Sequence, residues 1–117
     1  MSSLDPVQAQ LLQLRKKYGL ALPQKAAALD TAFAPVFAGP WEEEACTTAY
    51  RLVHSLAGSS GTYGYPDVSG IARRLEGLIK QSVEARASLE AALKAEAESL
   101  LASIRGMAAE LAAQVSG

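Results

Sequence analysis

Few residues in this sequence could do chemistry, and one of them stands alone. His54 is the only histidine and Cys46 the only cysteine among 117 residues. An imidazole can serve as nucleophile, proton carrier or metal ligand, and its neutral form keeps a nitrogen lone pair. One histidine and one cysteine exclude a multi-histidine metal centre, a cysteine-rich zinc site and an internal disulfide. Cys46 has no second catalytic group near it in sequence and reads as a small buried hydrophobe. Glu42, Glu43 and Glu44 form an acidic run. With no His or Asp converging on it, the run reads as first-turn charge that complements a helix dipole. Gly61-Thr62-Tyr63-Gly64 follows a helix and lacks Lys-Ser/Thr, so it is not a nucleotide loop. His54 is left as the candidate nucleophile.

The elements that must position it are helices. Ala, Leu, Glu, Gln, Lys and Arg dominate, and no run alternates β-branched or aromatic residues with polar ones. Breakers divide the chain into five helices, over about residues 5–18, 22–38, 40–60, 66–83 and 88–115. Asp5 caps the first, Pro6 suits its first position and Gly19 ends it, with Val7, Leu11, Leu14 and Tyr18 along one face. The second carries Ala26, Leu29, Phe33 and either Phe37 or Val36, and Pro35 should kink it or stop it early. Pro40 opens the third, with Trp41 sealing the bundle end. The fourth has a regular stripe of Val68, Ile71, Ala72, Leu75, Leu78, Ile79 and Val83. The last carries Leu89, Leu93, Leu100, Ile104, Met107, Leu111 and Val115. No Gly or Pro separates the last two helices, yet a break over residues 84–87 is expected. Without one, a rod of roughly 75 Å could bury its stripe only against another chain. The expected fold is all-α: an antiparallel up-down four-helix bundle over residues 22–115 with an additional short N-terminal helix, in one domain spanning residues 1–117.

On a wheel of the third helix, Trp41, Ala45, Ala49, Leu52, Leu56 and Ser60 form the core face, and His54 falls roughly 170° from its middle. Thr47, Tyr50, Arg51, Ala57, Gly58 and Gly61 share the outward side with it. Gly58 in a helix interior costs about 0.8–1 kcal/mol relative to Ala. It sits at i+4 from His54, where a side chain would lie against the ring, so its absence leaves the imidazole open. Early fraying or close helix packing would account for Gly58 equally well.

Charge and composition narrow the partners. Eleven Lys and Arg against twelve Asp and Glu give a formal charge of −1. That near-neutrality argues against general binding to nucleic acid or anionic membranes. No leader and no apolar run of transmembrane length is visible, and the expectation is a cytoplasmic monomer.

The stretch Ala49-Tyr50-Arg51-Leu52-Val53-His54-Ser55-Leu56-Ala57-Gly58-Ser59-Ser60-Gly61-Thr62-Tyr63-Gly64 resembles the signature of the histidine phosphotransfer (HPt) family, H-x-L-K-G-S/A followed by a glycine-containing turn. Ile71-Ala72-Arg73-Arg74-Leu75-Glu76 matches the Leu-Glu ending of that family's next helix. The resemblance covers about residues 49–80. It implies a two-component phosphorelay in which His54 accepts a phosphoryl group from a receiver-domain aspartate and donates it to another. The chain would act as a carrier without kinase activity of its own. It would bind no cofactor, since the receiver domain brings the Mg²⁺, and it would meet a response regulator or a hybrid histidine kinase. Arg51, Ala57, Gly58, Gly61, Arg73 and Arg74 are the residues placed to meet that partner. The family's lysine three residues after the histidine is here Ala57, and Arg51 could supply the missing charge. Two other functions fit the same residues: a docking module that transfers nothing, and a structural protein dimerising through its Ala-rich last segment.

Overall fold

The computed structural model describes residues 5–116; residues 1–4, read above for the absence of a leader, and residue 117 lie outside the described part. Four helices account for nearly all of it: α1 (Pro6–Ala38), α2 (Glu43–Thr62), α3 (Pro66–Ala85) and α4 (Ala91–Ser116). No strand occurs among the described residues. Each helix packs on two neighbours, α1 on α2 and α4, α3 on α2 and α4. Short connections make neighbours antiparallel, and this closed up-down ring is the expected bundle.

The separate N-terminal helix is not there. Residues 5–18 and 22–38 are continuous in α1, whose 33 residues make it the longest element. Asp5 begins it as predicted, with a capping box in which its carboxylate accepts from the Gln8 amide at 2.8 Å. Gly19 does not end the helix. A Cβ there would lie 3.2 Å from Tyr65 Cζ and 3.3 Å from Val115 Cγ2, so this glycine lets two neighbouring elements approach α1. Pro23 and Pro35 both lie inside the helix. The proline at 23 removes the donor that would have bonded the Gly19 carbonyl. Neither proline ends α1, because the flanking turns are fixed by burial of Leu22, Ala26, Leu29 and Phe33.

The other boundaries move by a turn or less. Helix α2 starts at Glu43 rather than Pro40, with Glu42 as N-cap and Glu43 and Glu44 in the first turn. Trp41 therefore precedes the helix; it packs half-buried against the core, with the Arg86 guanidinium 4.8 Å from its ring centroid. The break between the last two helices falls where expected. Arg86 caps α3 in the left-handed region, at φ 52°, and its guanidinium also meets Glu43 at 3.2 Å.

The core stripes of α3 and of the second half of α1 are those read from the sequence. Val68, Ala72, Leu75, Leu78 and Ile79 pack with Ala26, Leu29 and Phe33. Leu100, Leu101, Ile104 and Ala108 close the core from α4. The predicted face of the N-terminal segment is buried only at Tyr18; Val7, Leu11 and Leu14 are exposed. Helix α2 is rotated relative to its predicted face. Cys46, Ala49, Val53, Leu56, Ala57 and Ser60 are buried, whereas Leu52 is exposed. The middle of the buried face lies about 90° round the wheel from Leu52. The rotation follows from having neighbours on two sides: the face that α2 must bury points between α1 and α3.

Candidate functional site

His54 lies near the middle of α2, flanked by regular helix on both sides, and its side chain is 65% exposed. The rotation of α2 places it about 110° from the middle of the buried face instead of 170°. It is therefore on the flank that adjoins α3, still open to solvent but within reach of that helix.

That flank supplies its partner. The His54 Nδ1 lies 2.7 Å from the Glu76 Oε2, a carboxylate only 17% exposed. The pairing follows from helix register. Glu43 with Arg86, Cys46 with Ser82, His54 with Glu76 and Gly61 with Ser69 are successive rungs of the antiparallel α2–α3 contact. Ser69 and Glu76 are seven residues apart, so they share one face of α3, the one turned to α2. At the foot of the ladder Ser69 donates to the Ala57 carbonyl at 2.7 Å. A Cβ on Gly61 would stand 3.2 Å from Ser69 Oγ, so the glycine permits this close contact.

Tyr50, one turn before His54, stacks on the imidazole with ring centroids 5.8 Å apart and planes 18° from parallel. Carboxylate and phenol ring hold the imidazole on two sides. With Nδ1–H donating to Glu76, the lone pair is left on Nε2. One turn after His54, a Cβ on Gly58 would meet nothing within 4 Å. Close helix packing is thus not the reason for this glycine, and fraying is not either, because α2 continues to Thr62.

The remaining predicted residues divide. Arg51 and Arg73 are exposed, as a partner contact requires. Arg74 is exposed too but pairs with Glu96 of α4 at 2.9 Å. Ala57 is a correction: it is 1% exposed and belongs to the core, so its side chain cannot meet a partner. The physical reason is the rotation of α2, which turns position 57 from the outward side into the bundle. None of the nearby hydroxyls reaches the imidazole. Ser59, Ser60 and Thr62 donate to the carbonyls of Ser55, Leu56 and Gly58 four residues back. Ser59 also meets the Tyr18 hydroxyl at 2.6 Å. Burial raises the Tyr18 pKa above its ordinary value, and the Ser59 and Ser60 hydroxyls partly offset this.

The sequence alone assigns Glu76 no role, although it sits inside the matched Leu-Glu pattern. The available signal was an acid seven residues after Ser69 on the edge of the α3 stripe. Its value depended on knowing which helix that edge faces.

The described residues include no helix long and apolar enough to cross a membrane. Comparisons with curated proteins and with solved structures give no match. The family model described as the Hpt domain matches residues 7–113. With a lone exposed histidine in the second helix of a four-helix bundle and a family match over nearly its whole length, the chain belongs to the Hpt domain family.

Proposed function

We propose that His54 is the phosphoryl-accepting residue and that the chain carries the group between receiver-domain aspartates in a phosphorelay. The observation that carries this reading is the arrangement of the ring: Nδ1 on the Glu76 carboxylate at 2.7 Å, and open space above Gly58. In the transfer step the Nε2 lone pair attacks the phosphorus of an aspartyl phosphate in line. An N–P bond forms, the P–O bond to the aspartate breaks, and its electron pair leaves with the carboxylate. The ring acquires positive charge in this step while Nδ1–H remains on Glu76, so a fixed carboxylate faces the charge as it develops. Phosphoryl transfer depends on alignment and charge stabilisation more than on covalent help. The receiver domain brings the Mg²⁺ and most of the stabilising charge. This chain brings an oriented, unobstructed nucleophile and needs neither kinase activity nor a cofactor. The reverse step returns the group to a second receiver.

The docking-module reading rests on Ala57, which stands where the family has lysine and faces the core. One experiment separates the two. Incubation with a phosphorylated receiver domain should place an acid-labile, base-stable label on the wild-type chain and none on His54→Gln. Receiver binding without any label on the wild type would reject transfer and leave docking.

A further inference from the structure

A single hydrogen bond fixes an axis and not a plane. The 2.7 Å contact between His54 Nδ1 and Glu76 Oε2 settles which edge of the imidazole faces α3. It leaves the ring free to rock about the line joining the two atoms, with little change in hydrogen-bond geometry. The Nε2 lone pair lies in the ring plane, so rocking swings it through an arc. Glu76 alone therefore does not aim the nucleophile.

The second constraint comes from α2 itself. Tyr50 stands at i−4 from His54, the spacing at which side chains on one helix meet. Its ring lies nearly parallel to the imidazole, with 18° between the planes and 5.8 Å between the centroids, an offset stack. On the wheel it falls about 40° from His54, toward the buried face. Tyr50 packs half-buried against the core. The phenol ring is thus held by the bundle, while the imidazole it covers is 65% exposed. One turn after His54, a Cβ on Gly58 meets nothing within 4 Å. A fixed aromatic surface backs the imidazole from one turn of the helix, and the other turn is bare.

We infer that Tyr50 is a positioning residue for phosphoryl transfer. Its ring holds the plane of the imidazole while Glu76 holds the edge, and together they direct the Nε2 lone pair along one line. The inference rests on His54 as the phosphoryl acceptor. As the N–P bond forms, the P–O bond to the aspartate breaks and its electron pair leaves with the carboxylate. Both bonds lie on one axis. A docked receiver presents its aspartyl phosphate from a single direction, so the lone pair must already point that way. A small donor free in solution has no such requirement, because it reaches Nε2 from whichever direction the ring faces. The contact is made by the ring and not by the hydroxyl, so phenylalanine preserves it and leucine does not.

Wild type, Tyr50→Phe and Tyr50→Leu test this, each with its helical circular dichroism recorded first. The imidazole C–H proton resonances should lie upfield in wild type and Tyr50→Phe, under the ring current of the stacked aromatic, and move downfield in Tyr50→Leu. With a saturating phosphorylated receiver domain, transfer to His54 should slow about three- to tenfold in Tyr50→Leu and recover in Tyr50→Phe. With phosphoramidate as donor, where the N–P bond to His54 forms as ammonia leaves, every variant should be labelled at the same rate. Wild-type transfer from the receiver to Tyr50→Leu would overturn the inference and leave the carrier role standing. An equal loss with both donors would also overturn it, since Tyr50 would then support the integrity of the site and not the alignment. A wild-type chain labelled by neither donor would reject His54 as acceptor, and the positioning role with it.

Discussion

His54 and Glu76 face each other across the α2–α3 contact, Nδ1 to Oε2 at 2.7 Å, with the acid mostly buried and the imidazole mostly exposed. The carboxylate is fixed in the bundle while the nucleophile stays accessible, so its orientation is set before any partner arrives. Removing the acid should release the ring. Glu76→Ala is expected to slow phosphorylation of His54 about tenfold, equivalent to about 1.4 kcal/mol. Glu76→Gln should fall between the two, because its amide oxygen still accepts from Nδ1–H but carries no charge. Nitrogen chemical shifts of the imidazole provide the accompanying readout. Tautomer populations identical in wild type and Glu76→Ala would remove the orienting role.

The two glycines nearest the chemistry and the bundle seam should respond in opposite ways. A Cβ at position 58 meets nothing, whereas one at position 19 meets Tyr65 and Val115. Gly58→Ala should therefore stabilise the protein by up to about 1 kcal/mol through helix propensity alone. Gly58→Leu should retain that stability yet impair transfer, because its side chain lies over the imidazole. Gly19→Ala should destabilise, since the gain in propensity is outweighed by displacing Tyr65, whose hydroxyl donates to the Arg15 carbonyl at 2.7 Å. Chemical denaturation and transfer rates on the same three variants check both halves.

Arg51 and Arg74 differ in what already holds them. Arg74 is engaged by Glu96, and Arg51 is exposed one turn before the nucleophile. With a receiver domain as donor, Arg51→Ala should lower the initial transfer rate about three- to tenfold at low salt, and the deficit should shrink as salt is added. Arg74→Ala should have a smaller effect. Rates at two ionic strengths decide the matter, and equal rates for Arg51→Ala and wild type would show that Arg51 does not replace the family lysine.

Tyr18 gives the fold an alkaline limit. Burial holds its hydroxyl protonated above the ordinary tyrosine range. Above about pH 10 the unfolded chain loses this proton while the folded chain keeps it. The folded state then binds more protons than the unfolded one, so stability falls with rising pH. The contribution is complete below about pH 10 and disappears as the pH rises through the folded-state value. Urea unfolding across that range should show a shallower decline for Tyr18→Phe than for the wild type. Parallel declines would contradict the assignment.

Local chemistry made much of this protein legible without coordinates. The Asp5 cap, the i, i+3, i+4 stripe of α3, the isolated histidine and the glycine one turn after it are properties of neighbours in sequence. They fix helix type and the candidate nucleophile, whereas the break over residues 84–87 has no local breaker and follows from the need of the two stripes to be buried against each other. Expectation and structure part where a neighbour distant in sequence decides. Gly19 and Pro23 look like a helix end until Tyr65 and Val115 account for the glycine and the buried residues after Pro23 hold the helix together.

The sequence by itself determined an all-helical chain with one imidazole on an amphipathic helix and no side chain where a side chain would obstruct it. Only the tertiary structure decided how far α2 turns about its own axis. That turn sends Ala57 into the core and brings His54 to the flank beside α3, and the register of the two helices then sets Glu76 opposite the imidazole. A helix wheel defines faces relative to one another, but the neighbours that pack against a helix determine which face is buried.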